Sequence, residues 1–310
     1  MGQRDSHQGG QRLVPTQRTR VMSKLPNERI VCDGVLSDEY DRVMPVFGDE
    51  SALLAIRLAA VSGKTALDLG TGSGVLAIHV AHRVDEVVGV DINPKAIRYA
   101  RRSAEICEVQ HKCSFVEGDL YGPVSGRRFD VIAVNPPFVP IPYGYRMFLS
   151  ADGGPDGMDV VREALQGAPR HLAADGRLLM LTMSLGDELE PLVYRYLRSA
   201  FHQRPVRITT THIYATIHYE AEPFLRLFEN VPAYLEWRRF LERKKLSHLY
   251  YMLHDVSPHD RFEHTEEQLK TALELSEYSG SWEGRINRFR TWFALKCRTG
   301  AVRPQESHVR

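Results

Sequence analysis

The sequence predicts an α/β fold in which a mostly parallel sheet is covered by helices on both faces. The first observation is a short apolar strand at residues 66–69 that runs into three glycines at alternate positions, Gly70, Gly72 and Gly74. The second is the alternation of strand and helix patterns from there to about residue 220. The third is the composition, since 43% hydrophobic and 25% charged residues are ordinary for a globular protein.

The glycine turn predicts a bound ligand, because glycines this dense let the backbone turn sharply and approach another molecule closely. A strand, a glycine-rich turn and a helix form the nucleotide cradle of α/β folds. The dinucleotide pattern G-x-G-x-x-G does not fit, because Val75 occupies its third glycine position and Gly74 comes one residue earlier. An acid at the strand end, Asp68, followed by G-x-G-x-G instead resembles the turn of S-adenosylmethionine (SAM) methyltransferases.

The next two predicted strands also end in acids. The second strand ends in Asp91, which lies about 20 residues beyond Gly70, the separation at which an acid meets ribose hydroxyls in such folds. The third strand is followed directly by Asp119 and Leu120. We expect the Asp119 carboxylate to accept a hydrogen bond from an adenine amino group, and the Leu120 amide to reach the ring.

A fourth strand, residues 129–134, runs directly into the tetrad Asn-Pro-Pro-Phe at residues 135–138. The order of motifs over roughly residues 40–220 resembles class I SAM-dependent methyltransferases. The tetrad is similar to the N-P-P-[YF] motif of enzymes that methylate planar nitrogens, either adenine amines in nucleic acid or glutamine amides in proteins. The resemblance implies a Rossmann-like sheet of seven strands with SAM as the cofactor. The residues expected to bind SAM are Asp68, Gly70, Thr71, Gly72, Gly74, Asp91, Ile92, Asp119, Leu120 and Asn135.

The residues of the tetrad can explain how a planar nitrogen becomes reactive enough to be methylated. An amide or aryl amine nitrogen is a poor nucleophile because its lone pair is delocalised. Two acceptors aimed at its N–H groups favour the localised nitrogen that attacks, and fixed dipoles of this kind are worth a few kcal/mol each. We expect the Asn135 side chain and the Pro136 carbonyl to be these acceptors. We expect Phe138 to stack on the substrate or to face the sulfonium as a cation–π partner.

A second block, residues 153–162, is similar to the segment that follows the tetrad in release-factor glutamine methyltransferases. Residues 46–51 resemble the entry segment of the same group. The chain departs from that group in its short N-terminal segment and its long C-terminal extension, so the resemblance carries the fold and cofactor further than the protein substrate. The residues expected to line the substrate pocket are Phe47, Ser51, Tyr143 and Tyr145.

The chain divides into three predicted regions. These are a flexible basic lead at 1–29, with Met22 as an alternative start, a SAM-binding domain at 30–220, and a helical extension at 221–310 that caps the site or forms a dimer surface. The last two sheet strands are expected at 205–211 and 213–219. Helices are expected in the extension near 234–245, 266–275 and 282–297.

Charge and composition exclude several classes of protein. A net charge of +1 gives no overall attraction to nucleic acid. The four cysteines contain no C-x-x-C pair, so neither a zinc site nor a disulfide framework is indicated. His254, His259 and His264 lack helical ligand spacing, which predicts ordinary surface histidines and no metal. No apolar run reaches the roughly 18–20 residues of a membrane span. A cytoplasmic location is expected.

Four functional hypotheses follow. The leading hypothesis is a SAM-dependent N-methyltransferase that acts on a planar or amine nitrogen of a small molecule or of a protein glutamine. A second is a SAM-consuming cyclase or lyase, in which the amino group of SAM attacks its own side chain and releases methylthioadenosine and a cyclic amino acid. A third is an adenine N6-methyltransferase of nucleic acid. The fourth is a non-enzymatic SAM-binding partner protein, which has no need for the tetrad.

Overall fold

A computed structural model describes residues 29–34, 37, 39–44, 50–213 and 218–269. Within these residues, nine strands join one sheet in the order β3-β2-β1-β4-β5-β8-β6-β9, and the short β7 pairs with β8. The strands are β1 (Thr65–Leu69), β2 (Glu86–Asp91), β3 (Cys113–Glu117), β4 (Phe129–Val134), β5 (Leu172–Gly186), β6 (Val206–His212), β7 (Tyr219–Glu220), β8 (His248–Pro258) and β9 (Glu263–Gln268). The helices are α1 (Glu50–Leu58), α2 (Val75–Val80), α3 (Pro94–Ile106), α4 (Asp159–His171), α5 (Val193–Phe201), α6 (Glu222–Leu225) and α7 (Tyr234–Arg243).

The predicted α/β fold is confirmed, but the sheet has nine strands within the described residues where seven were predicted. Strands β3, β2, β1, β4 and β5 are parallel neighbours, and β1 and β4 are buried along most of their length. Strands buried on both faces read as continuous apolar runs, which is why these two were visible in the sequence. Helix α3 begins as its residue types dictate, because the Asn93 side chain accepts a hydrogen bond from the Lys95 N–H at 2.9 Å and Pro94 occupies the first turn.

The prediction of a wholly helical segment after residue 221 was wrong for residues 248–258 and 263–268, which form strands. Helices α6 and α7 do form, but β8 then enters the sheet antiparallel between β5 and β6. Strand β9 pairs in parallel with β6, where the sequence analysis placed the start of a helix. Most of the strand predicted at 213–219 lies outside the described residues, and its last residue, Tyr219, begins β7. The predicted helix at 282–297 lies outside those residues.

The physical reason for this error lies in the burial of β8. Residues 249–254 are all buried, so they show no alternation of exposed and buried positions that would reveal a strand. A short apolar run of this kind cannot be distinguished from a buried helix by periodicity alone. The sheet therefore continues past residue 220, and residues 221–247 form a helical insert between β7 and β8. We call this segment the insert.

The prediction of ordinary surface histidines was wrong for His254. His254 lies in β8 and is fully buried rather than exposed, with one ring nitrogen 2.9 Å from the Thr182 hydroxyl and the other 2.9 Å from the Thr210 hydroxyl. Burial lowers the pKa of this imidazole to about 3. In the ranges that the structure covers, no group of three or more His, Cys, Asp or Glu side chains is arranged to hold a metal ion. Nor does any described helix combine the length and apolarity needed to cross a membrane.

Candidate functional site

The register of the parallel strands brings three predicted site residues to one edge of the sheet. Leu69, the last residue of β1, lies opposite the last-but-one residue of β2 and the last residue of β4. Gly70, Asp91 and Asn135 therefore follow at the same level in three adjacent strands. This is the carboxyl edge of the sheet, where open α/β folds bind their ligands.

The glycine turn above β1 is open on its outer side. Gly70, Gly72 and Gly74 all have positive φ angles of 75°, 53° and 81°, a region that residues with a Cβ rarely adopt. A Cβ added to Gly70 or Gly72 would meet no atom within 4 Å, whereas a Cβ on Gly74 would lie 3.0 Å from the Ala100 side chain. The first two glycines thus border open space, and the third permits close packing of α2 on α3. The Thr71 side chain between them is buried.

Asp68 supports this turn from below. Its side chain is buried, and Oδ2 accepts hydrogen bonds from the Thr71 hydroxyl at 2.7 Å and the Ala77 N–H at 3.0 Å. Oδ1 is buried without a hydrogen-bond partner. Burial raises the pKa of this carboxyl to about 6, although the two hydrogen bonds oppose the shift. Asp68 therefore lies beneath the turn, and its unpaired oxygen is an unused acceptor there.

Asp91 ties the turn to the next helix. Its Oδ2 accepts a hydrogen bond from the Gly72 N–H at 2.8 Å, and its Oδ1 accepts one from the Asn93 N–H at 2.9 Å. Burial raises the pKa of the Asp91 carboxyl. The next residue, Ile92, is 53% exposed although it is a large apolar side chain. This exposed apolar surface lies beside the carboxylate that the sequence analysis assigned to the ribose.

Asp119 and Leu120 lie beyond the end of β3. The Asp119 side chain is exposed, and Leu120 has an unusual positive φ of 43°. The strand end is fixed to its neighbour because the Gly118 N–H donates to the Asp91 carbonyl at 3.0 Å. The structure thus places both residues just beyond β3, the strand next to β2 and Asp91, while their contact with adenine stays a prediction.

The tetrad leaves β4 beside the glycine turn. Asn135 is half-buried and Pro136 is buried. Phe138 is only 6% exposed and makes an edge contact with the Tyr251 ring at a centroid distance of 6.1 Å. The predicted contact of Phe138 with a substrate or sulfonium is untested, and in this structure its ring lies mostly inside the protein.

The predicted substrate residues are spread over two segments. Ser51 is half-buried at the start of α1, and Phe47 lies outside the described residues. Tyr143 is 44% exposed, whereas Tyr145 is buried and makes an edge contact with the Phe228 ring at 5.7 Å. Only the two tyrosines are therefore placed in the loop that follows the tetrad, and their role in substrate binding stays a prediction.

Sequence reasoning missed one element of the site. The Asn93 side chain donates to the Asp41 carbonyl at 2.7 Å, and the Leu149 N–H donates to the Tyr40 carbonyl at 3.0 Å. Residues 39–42 therefore join the start of α3, next to Asp91, to the loop that follows the tetrad. No sequence pattern indicates this contact, because it is made largely by backbone carbonyls of an irregular segment.

The raised pKa of Asp68 makes a testable prediction for the ligand-free protein. A carboxyl with a folded pKa near 6 and an unfolded pKa near 4 binds more protons when folded. Its contribution to the free energy of unfolding is therefore fully present below about pH 4 and is lost as the pH rises through about 6. We expect Asp68→Asn to gain about 2 kcal/mol relative to wild type between pH 4.5 and pH 7.5.

Urea unfolding of wild type and Asp68→Asn at the two pH values measures this change directly. The comparison uses the difference between pH values, so a constant cost of the new amide cancels. Asp130→Asn is a matched control with the opposite sign, because hydrogen bonds from Thr65 and Lys64 lower the pKa of the Asp130 carboxyl despite its partial burial. Parallel stability curves for wild type and Asp68→Asn would contradict the assignment.

The sequence profile of the methyltransferase small domain family matches residues 47–203, half of the chain. A protein of Methanocaldococcus jannaschii, provisionally named protein N5-glutamine methyltransferase, is 34% identical over 149 residues, which cover 46% of this chain and 74% of the relative. The ribosomal protein uL3 glutamine methyltransferase of Bordetella pertussis is 37% identical over 133 residues, covering 40% and 44%. The release factor glutamine methyltransferase of Geobacter sulfurreducens is 32% identical over 185 residues, covering 56% and 61%.

The aligned residues therefore cover most of the Methanocaldococcus jannaschii relative. The chain spans only about half the length of the Bordetella pertussis and Geobacter sulfurreducens relatives. The matched residues include the glycine turn, the acidic strand ends and the tetrad, and they end before β6 and the insert. The chain belongs to the methyltransferase small domain family and is a class I SAM-dependent methyltransferase.

Proposed function

We propose that this protein transfers a methyl group from SAM to the side-chain amide nitrogen of a glutamine in a protein. The observation that carries the proposal is the emergence of the tetrad from β4 at the level of Gly70 and Asp91. The relatives named as glutamine methyltransferases support the amide as acceptor. No comparison supports a small-molecule acceptor, so we do not pursue that part of the prediction.

The residues at the sheet edge fit SAM in their chemistry. SAM carries an ammonium group, ribose hydroxyls, an adenine ring and a methyl group on a positively charged sulfur. The unpaired Asp68 Oδ1 is a buried acceptor beneath the glycine turn, and the Asp91 carboxylate can accept from hydroxyls. The exposed Ile92 offers an apolar surface for a ring. These three residues, with the Gly70 and Gly72 backbone, would hold the cofactor.

The tetrad would act on the acceptor nitrogen. The Asn135 side-chain oxygen and the Pro136 carbonyl would accept hydrogen bonds from the two N–H groups of the glutamine amide and favour a localised lone pair. Pro137 limits the freedom of this corner because its ring fixes φ. The nitrogen can lose its extra proton to solvent after methyl transfer, so no ionisable general base is required. The protein contributes mainly positioning and electrostatics.

Labelling with methyl-tritiated SAM tests this function. The purified protein is incubated with labelled SAM and ribosomal proteins or release factors, which are the substrates named for the relatives. We expect label in a protein band, a mass increase of one methyl group on a glutamine in the digested peptide, and S-adenosylhomocysteine as the co-product. Action on translation proteins would also agree with the expected cytoplasmic location.

Three other outcomes would overturn the proposal. Methylthioadenosine formed from SAM without any acceptor would indicate the cyclase or lyase reaction. Label that stays in nucleic acid after protease treatment would indicate adenine methylation. Label on a protein residue other than glutamine would retain the methyltransferase and remove the amide acceptor.

A further inference from the structure

The loop that follows the tetrad, residues 139–158, folds back onto Phe138. The Gly153 N–H donates to the Val139 carbonyl at 3.0 Å. A Cβ added to Gly153 would lie 2.8 Å from the Phe138 Cα, and one added to Gly157 would lie 2.5 Å from the Phe138 carbonyl oxygen. The loop therefore rests directly on the main chain of the tetrad, with no room for a side chain between them.

The insert holds the outer side of this loop through two polar contacts. Trp237 of α7 is fully buried, and its Nε1 donates to the Pro155 carbonyl at 2.7 Å. Lys244, directly after α7, forms an ion pair of 2.7 Å with Asp156, which is only 4% exposed. The other Asp156 oxygen accepts from the Met158 N–H at 3.2 Å. A buried carboxylate needs such a counter-charge, because an unpaired buried charge is strongly unfavourable.

Aromatic contacts join the insert to the other end of the same loop. The Tyr143 ring makes an edge contact with Phe240 at a centroid distance of 5.8 Å, and the Tyr145 ring makes one with Phe228 at 5.7 Å. The insert thus contacts the loop both near its start and at residues 155–156. Contacts at two ends restrict the loop far more than either contact alone.

We propose that Trp237 and Lys244 are positioning residues for methyl transfer, acting through the 139–158 loop on Phe138 and hence on Asn135 and Pro136. This inference rests on the function proposed above. It assigns a role to a segment that lies outside the residues matching the family. A displacement of the acceptor corner by about 1 Å is enough to lower a rate about 100-fold, so a loop that fixes the corner has kinetic consequences.

Two substitutions remove the two polar contacts separately, and Trp237→Phe also removes part of a fully buried ring. Trp237→Phe keeps an aromatic ring and removes the N–H donor, and Lys244→Met keeps the side-chain length and removes the charge. We expect each to lower kcat for the glutamine acceptor about 5- to 10-fold, the scale of one hydrogen bond, with the Kd for SAM unchanged. Lys244→Arg should restore most of kcat. Arg243→Met, an exposed neighbour on α7, is the matched control and should have no effect.

A double substitution separates positioning from a general structural role. If Lys244 acts through the tetrad, Lys244→Met should cause little further loss of kcat in an Asn135→Ala background. Losses that multiply would show that the two residues act independently and would overturn the proposal. A rise in the Kd for SAM as large as the fall in kcat in Lys244→Met would also overturn it, because the cofactor residues lie at the ends of β1 and β2.

Hydrogen exchange gives a readout that does not require activity. In Trp237→Phe and Lys244→Met we expect at least about 5-fold faster exchange of the Ile141 and Gly153 amides, which donate within the loop, and unchanged exchange of the Gly70 amide, which donates to Val90. Unchanged loop exchange overturns the inference even if glutamine is methylated. Faster exchange at all three amides also overturns it. Faster loop exchange in a protein that never methylates glutamine would show that the insert restrains the 139–158 loop, and it would reject the proposed function. Should Lys244→Met fail to fold, Trp237→Phe decides.

Discussion

Replacing Asn135 by alanine should lower the rate of methyl transfer by about 100-fold or more while leaving the Kd for SAM within a few-fold of wild type. The half-buried Asn135 follows β4 directly at the level of the glycine turn, so its main chain continues from a buried strand. Removing one oriented dipole from a site where charge develops typically costs 10²–10³ in rate. Initial rates at saturating acceptor and calorimetric titration with SAM measure the two quantities.

The matched control for this change is Asn230→Ala, the same substitution at an exposed position of the insert. It should leave both the rate and the SAM affinity unchanged. Asn135→Asp is informative as well, because it retains an acceptor oxygen but adds a negative charge beside the acceptor amide. An Asn135→Ala enzyme that keeps more than about one fifth of the wild-type rate would remove Asn135 from the chemistry.

The parallel half of the sheet could be predicted because its information is local. Strands β1 and β4 are apolar runs with unmistakable ends, a glycine turn in one case and a proline-rich tetrad in the other. Asn93 and Pro94 define the start of α3 by their own chemistry. Since parallel strands in one sheet end at one edge, the convergence of Gly70, Asp91 and Asn135 follows from these local features alone.

The antiparallel half could not be predicted because its information is not local. Strand β8 is set by pairing with β5, more than 60 residues earlier in the chain, and nothing within 249–254 distinguishes it from a buried helix. The same holds for the acids near the N-terminus. The ion pairs of Asp33 and Glu39 with Lys95 form only when folding brings these distant residues together, so no local pattern predicts them.

The hydrogen-bond partners of individual acids could not be predicted from the sequence, although the positions of these acids could. An acid at the end of β1 is visible in the sequence, but the direction of its side chain is not. The Asp68 side chain points inward and accepts a hydrogen bond from the Ala77 N–H near the start of α2. It therefore stabilises the glycine turn. Asp91 likewise uses both oxygens on backbone amides before any ligand binds. Sequence patterns identify the residue type, whereas the hydrogen-bond partner depends on the three-dimensional path of the turn.

Removing the Asp91 carboxylate should weaken SAM binding by about 100-fold. Hydrogen bonds to a charged group are worth roughly 1.5–3 kcal/mol each, and two ribose hydroxyls can donate to the free lone pairs of this carboxylate. The Gly72 and Asn93 amides, which donate to Asp91 at 2.8 and 2.9 Å, hold it in place before binding. Asp91→Ala therefore removes the contact itself and also frees the glycine turn. Calorimetric titration with SAM and with S-adenosylhomocysteine measures the loss.

Two comparisons isolate the carboxylate from its structural role. Asp91→Asn keeps one acceptor for a backbone amide but removes the charge, so its affinity should fall between those of wild type and Asp91→Ala. Glu117→Ala removes an exposed carboxylate that lies opposite Asp91 in β3 and should leave SAM affinity unchanged. If Asp91→Ala bound SAM within about threefold of wild type, ribose recognition by this residue would be rejected. Equal losses in Glu117→Ala would instead indicate a long-range effect of negative charge on a cationic ligand, which added salt should abolish.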